Sequence, residues 1–133
     1  MATQQGFPVE EACLVVELRY GLRIDKATAK SLPSYEDANV LVKTLDNQEF
    51  VLKIANPDEL EESLRFQNAA MEWLSVQGCR SPKVIKTIDG EGLFRLEEGR
   101  VGARRLVRLL EYLPGVPYAT VAPHNEVKKR NLD

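Results

Sequence analysis

The sequence predicts an α+β domain, an antiparallel sheet of about five strands with an N-terminal helix and one long helix packed on it. Three observations carry that expectation. Two apolar, β-branched runs, Ala38-Asn39-Val40-Leu41-Val42-Lys43-Thr44-Leu45 and Glu49-Phe50-Val51-Leu52-Lys53-Ile54-Ala55, flank the turn residues Asp46-Asn47-Gln48 and read as a hairpin. Asn56-Pro57-Asp58-Glu59 follows at once, with asparagine placed as an N-cap, proline at the first helical position and acids behind it. At 133 residues the chain has the length of one domain, enough to bury a core.

The remaining elements follow in order. Residues 1–8 are expected to be disordered. Pro8-Val9-Glu10-Glu11-Ala12 then puts proline and two acids in a first helical turn, where unpaired N–H groups and the helix dipole favour them. Ala12, Val15, Val16 and Tyr20 recur at helical spacing and Gly21 is a stop. Cys13 on this helix reads as a small buried thiol. Leu22 to Leu32 gives a weak strand signal, Pro33-Ser34-Tyr35-Glu36-Asp37 a turn, and the two runs named above complete a three-stranded meander. In the long helix Leu60, Leu64, Met71 and Leu74 form an apolar stripe widened by Phe66, Ala70 and Trp73, with Gly78 as its end. Met71 and Trp73 are expected to be packing residues. Lys83 to Ile88 reads as a fourth strand, Leu93-Phe94-Arg95-Leu96 as a short strand, and Arg104 to Tyr112 as a last one, broken by Leu113-Pro114-Gly115-Val116-Pro117.

The strand holding Lys53 organises the rest. A strand alternates its faces, so Phe50, Leu52 and Ile54 point to one side and Val51, Lys53 and Ala55 to the other. The first face calls for a core. The second is an apolar floor with one ammonium on it, and a half-buried cation there needs an anion. A nucleotide would supply one, phosphates for Lys53 and a base for Val51. The plainer alternative is an edge lysine snorkelling to water.

Composition narrows the function. Hydrophobic residues make up 44%, ordinary for a globular chain. A net charge of −2 gives no reason to expect nucleic acid or an anionic membrane as partner. No apolar run is long enough to cross a bilayer, and Met1-Ala2-Thr3-Gln4-Gln5-Gly6 lacks the apolar core of a signal peptide. The two cysteines, Cys13 and Cys79, read as reduced thiols of a cytoplasmic protein. One histidine, His124, excludes a His-rich metal site, and no metal ligands are assigned. No internal repeat or low-complexity segment stands out.

At this point the residues resemble a known family. Leu32-Pro33-Ser34-Tyr35-Glu36-Asp37-Ala38-Asn39, then Val51-Leu52-Lys53-Ile54, then Gln67-Asn68 with Met71, and finally Val107-Arg108-Leu109-Leu110-Glu111-Tyr112-Leu113-Pro114-Gly115 are similar to the hydroxylysine-kinase branch of the aminoglycoside phosphotransferase-like kinases. The resemblance covers about residues 9–125 and implies the small, nucleotide-binding lobe of a protein-kinase-like fold over residues 9–115. It implies that the turn bearing Ser34, Tyr35 and Asn39 covers nucleotide phosphates, that Lys53 contacts them, and that Val51 touches the base. It also implies that the backbone of Glu111, Tyr112 and Leu113 forms a hinge holding the base edge. The implied cofactor is GTP or ATP with Mg2+, and the implied acceptor a hydroxyl of a small amino acid.

Two departures qualify the resemblance. These kinases pair the strand lysine with a helix glutamate, and the matching position here is Arg65, a cation that would repel Lys53. Glu61 and Glu62 lie one turn earlier on the same helix and Glu62 is the candidate partner instead, the plainer alternative being that all three form a solvated face. The second departure is that no motif carries the aspartate and metal ligands that phosphoryl transfer needs, which in this family lie in the large lobe. Residues 116–133 therefore read as the hinge exit and a truncated tail, with no catalytic residue assigned, and the chain alone is expected to be inactive. Three competitors stand beside this reading. One is a non-catalytic binding or regulatory module, dimerising through exposed apolar surface around Val51, Ala55 and Leu113. Another is the phosphotransferase-like module of a class III aminotransferase fusion. The third is an unrelated α+β domain whose strand lysine is coincidence.

Overall fold

The computed structural model describes residues 7–33, 37–98, 103–116 and 118. Helix α1 (Val9–Tyr20) leads into a 3-10 turn (Lys26–Thr28) and strand β1 (Lys30–Leu32), followed by β2 (Ala38–Lys43) and β3 (Glu49–Ile54). Helix α2 (Glu61–Val76), β4 (Val84–Ile85), β5 (Phe94–Glu98) and β6 (Ala103–Glu111) complete the order. The strands form one sheet of order β1-β2-β3-β6-β4, every pairing antiparallel. Strand β6 is long enough to carry β3 along one edge and both β5 and β4 along the other.

The expected meander is present, and its register fixes the faces. Val40 pairs with Leu52 and Leu52 with Leu109, and Ile54 pairs with Val107. On that side the apolar strand residues meet Ala12, Cys13, Val16 and Tyr20 of α1, with Ile24 and Phe94 at the margins. This is the main core, and it contains the buried Cys13. Helix α1 begins after Pro8 and ends at Gly21, whose φ of 71° is left-handed and whose N–H donates to the Glu17 carbonyl. Phe7 is also buried in this core.

Several expectations need correction. Asn56-Pro57-Asp58-Glu59 does not start the helix. The Asn56 side chain accepts from the Asp58 N–H and its carbonyl from the Glu59 N–H, which closes a separate turn. Helix α2 starts at Glu61 behind Leu60, whose side chain offers no oxygen for a cap. The apolar stripe of α2 is largely bare. Leu64 and Asn68 are buried, while Phe66 and Trp73 are 74% and 61% exposed. Hydrophobic periodicity states which residues share a helix face, but not whether anything covers that face. The fourth strand is only Val84–Ile85, because Thr87 and Glu91 close a turn immediately after it. Leu22 to Leu32 resolves into one isolated bridge between Ile24 and Thr44, the 3-10 turn, and β1.

Candidate nucleotide site

On the face opposite the main core the register aligns three polar residues. Asn39 of β2 lies opposite Lys53 of β3, and Lys53 opposite Arg108 of β6. Directly opposed strand residues share a side of the sheet, so one row crosses it. All three are buried, Lys53 at 8% exposure.

Lys53 Nζ donates to Asn39 Oδ1 at 3.0 Å and to the Tyr118 carbonyl at 2.6 Å, and lies 3.4 Å from the Asp37 carboxylate. Asn39 Nδ2 donates to the same Tyr118 carbonyl at 3.0 Å. Burial holds the Lys53 amine below its ordinary pKa, Asp37 works against that shift, and the neighbouring Arg108 adds to it. The ammonium is thus a desolvated donor whose three protons face Asn39, the Tyr118 carbonyl and Asp37.

Arg108 has a different task. Its guanidinium donates to Asn68 Oδ1 and to Gln67 Oε1, both at 2.7 Å, and Asn68 Nδ2 donates onward to the Gly92 carbonyl at 3.0 Å. A buried fork therefore ties β6 to α2 and α2 to the β4–β5 connection. Burial lowers the Arg108 pKa, opposed by Asp37 and Glu59.

The position expected to disturb Lys53 does not reach it. Arg65 is exposed and donates to Glu61 one turn earlier at 2.9 Å. Glu61 also accepts from Arg95 at 2.7 Å, and these two hydrogen bonds, Arg65 first, hold its carboxyl below the ordinary range. Glu62 is exposed, and the structure does not bring it to Lys53. The carboxylate beside the ammonium comes from Asp37, at the mouth of β2. In the sequence Asp37 is part of a turn and Arg108 part of an apolar motif. One signal for Arg108 was available, a lone cation inside Leu106-Val107-Arg108-Leu109-Leu110. Ser34 and Tyr35 lie outside the described residues.

The exit segment closes the other side of the site. Glu111 N–H donates to the Lys83 carbonyl and Tyr112 N–H to the Glu49 carbonyl, which locks the end of β6. The next backbone groups turn inward. Leu113 N–H donates to Tyr118 Oη, and Tyr118 Oη donates to the Glu111 carbonyl, both at 2.7 Å. The Tyr112 and Tyr118 rings stack, with centroids 5.6 Å apart and planes at 28°. Val51 lies on the lysine face, fully buried, with Leu41 and Leu110 opposite it on the neighbouring strands. Ala55 is buried too, among Leu64, Leu93 and Leu106. Of the apolar surface expected around Val51, Ala55 and Leu113, the first two residues are buried and Leu113 is half-buried.

Among the described residues no group of three His, Cys, Asp or Glu side chains gathers to hold a metal ion, and no helix is long and apolar enough to cross a membrane. Lys53 and Asn39 thus converge on one carbonyl oxygen, and the Glu111 carbonyl and Leu113 N–H share one hydroxyl.

Residues 28–132 match the family described as phosphotransferase enzyme family. Hydroxylysine kinase of Xenopus laevis is 32% identical over 127 residues, covering 89% of this chain and 33% of that protein. Hydroxylysine kinase of Danio rerio is 36% identical over 112 residues, covering 80% and 31%. The chain thus spans about a third of the length of these relatives. Among solved structures, an amicoumacin kinase in complex with AMP-PNP, Ca2+ and Ami superposes with a TM-score of 0.68 at 16% identity, covering 84% of this chain and 33% of that one. A microcompartment-associated aminopropanol kinase superposes at 0.64 and 18%, covering 83% and 33%. A sheet of this order with a lysine on its third strand, the family match and the kinase folds agree. This chain belongs to the phosphotransferase enzyme family and has the fold of its small, kinase-like lobe.

Proposed function

We propose that this chain is the nucleotide-binding lobe of a small-molecule kinase resembling the hydroxylysine kinases. The parent reaction would move a phosphoryl group from GTP or ATP, with Mg2+, to a hydroxyl of a small amino acid. The observation that carries this reading is the buried Lys53 ammonium in reach of Asn39 and Asp37, with the Glu111 carbonyl and Leu113 N–H on the adjoining exit. Lys53 and Asn39 would donate to phosphate oxygens, the exit backbone would hold the base edge, and Val51 would lie under the base. Ser34 and Tyr35 are proposed to cover the phosphates, as the resemblance implies. Mg2+ would supply positive charge against the phosphate when bound, and the described residues supply no cluster to hold it. The lobe is read as binding nucleotide without transferring the phosphoryl group. The free thiols Cys13 and Cys79 support a reducing, cytoplasmic setting.

The test is titration of the purified chain with fluorescent GTP and ATP analogues. Lys53→Met is expected to weaken binding at least tenfold, about 1.4 kcal/mol. Equal affinity in wild type and variant would remove Lys53 from the site. Phosphorylation of hydroxylysine above the level of a Lys53→Ala control would overturn the expected lack of transfer.

One observation favours a second reading, a docking module without catalysis. Phe66, Trp73 and Val76, the last 82% exposed, lie near one another on the outer side of α2. Concentration-dependent dimerisation in sedimentation, abolished by Trp73→Ser, would support it. A monomer at every concentration would leave the nucleotide reading alone.

A further inference from the structure

Tyr118 makes, from a single residue, three kinds of contact that a purine nucleotide would need. Its hydroxyl accepts from the Leu113 N–H and donates to the Glu111 carbonyl, as a base edge with neighbouring acceptor and donor would. Its ring stacks on Tyr112, as a flat heterocycle would. Its carbonyl oxygen takes both the Lys53 ammonium and the Asn39 amide, as a phosphate oxygen would. The phenol is neutral at neutral pH, both donor and acceptor, and burial, the largest effect, raises its pKa further.

We propose that Tyr118 is a built-in competitor for the nucleotide, occupying the exit backbone and the strand lysine together, so that a nucleotide enters only by displacing it. The proposal rests on the nucleotide reading above. Lys53 and the exit backbone lie on different elements, and Tyr118 satisfies both at once. Its departure would free one donor position of Lys53, which keeps Asn39 and Asp37, together with one side-chain amide, one N–H and one carbonyl in a single step. Those groups are buried or half-buried, and leaving them unpaired is unfavourable, so a ligand must replace every contact that Tyr118 gives up. A nucleotide with both base and phosphate can do so. A base alone or inorganic phosphate alone cannot.

The experiment has a readout that needs no nucleotide and one that does. In the full chain, Tyr118→Phe keeps the ring and removes the hydroxyl. Amide hydrogen exchange at Leu113 is expected to quicken about tenfold in this variant, while exchange in β2 and β3 stays as in wild type. Affinity for fluorescent GTP and ATP analogues is expected to rise about tenfold in Tyr118→Ala and less in Tyr118→Phe. Unchanged exchange at Leu113 would mean that the hydroxyl contact is not made, and the proposal falls. Faster exchange with unchanged or weaker nucleotide affinity, while Lys53→Met still loses binding, would leave the nucleotide site standing and refute the competition. Faster exchange with no binding by any variant would refute the nucleotide reading itself, and the competition with it.

Discussion

At the level of single residues, buried polar atoms set the testable energetics. Tyr20 Oη is buried and, among the described residues, finds no hydrogen-bond partner. Burial, the largest effect, pushes this phenol well above its ordinary pKa. Tyr20→Phe removes the unsatisfied hydroxyl and keeps the ring against Phe94, and is expected to stabilise the lobe by about 1 kcal/mol near neutral pH. The sign with pH follows from the raised pKa. Above about pH 10 the unfolded chain loses the Tyr20 proton before the folded one, so wild-type stability falls there through this group. Lys53 acts in the opposite sense, because its folded pKa is lowered and the cost of its burial is relieved as pH rises toward the ordinary lysine range. Denaturant melts of Tyr20→Phe and wild type from pH 7 to 11 separate the two. The gap between them should widen above pH 10, and a constant gap would show that Tyr20 ionises freely in the fold.

Of the two helices, α2 buries fewer residues. It buries Leu64 and Asn68, lacks a side-chain N-cap, and is held to the sheet by the Arg108 fork. Leu60 is exposed with an extended backbone suited to a cap. Leu60→Ser should therefore raise stability by about 1 kcal/mol, read as a higher urea midpoint at unchanged slope. Arg108→Ala should cost about 3 kcal/mol, since it removes two charge-assisted hydrogen bonds and strands the buried Asn68 oxygen. Hydrogen exchange in α2 would rise more than in β2 or β3, and a uniform rise would mean that the fork does not anchor this helix in particular. The anchors of α2 are not legible in its own sequence. Its apolar residues have helical spacing, but the groups that hold it down are Gln67 and Asn68, which look like interruptions of the stripe until Arg108 stands opposite them.

For the molecule as a whole, nucleotide binding should appear as stability. A ligand that binds only the folded lobe stabilises it by about 2.7 kcal/mol at one hundred times its Kd. For a domain of this size that corresponds to a rise in Tm of roughly 10 °C. Thermal melts with GTP and with ATP should show such a shift, reduced in Lys53→Met. A melt indifferent to both nucleotides would leave a phosphotransferase-family fold without its expected ligand. The size of the shift also bears on Tyr118, since any affinity lost to that side chain is returned in Tyr118→Ala.

By itself the sequence determined the meander, both helices, the side of β3 on which Lys53 lies, and the family. These follow from alternation, turn residues and helix stops, all of which act over a few neighbouring positions. Only the tertiary structure decided what Lys53 meets. Asp37, Arg108 and Tyr118 lie 16, 55 and 65 positions from it along the chain, and strand register with chain reversal brings them together. No local pattern encodes that meeting, because a hydrogen bond between distant residues is chosen by the packing of every element between them.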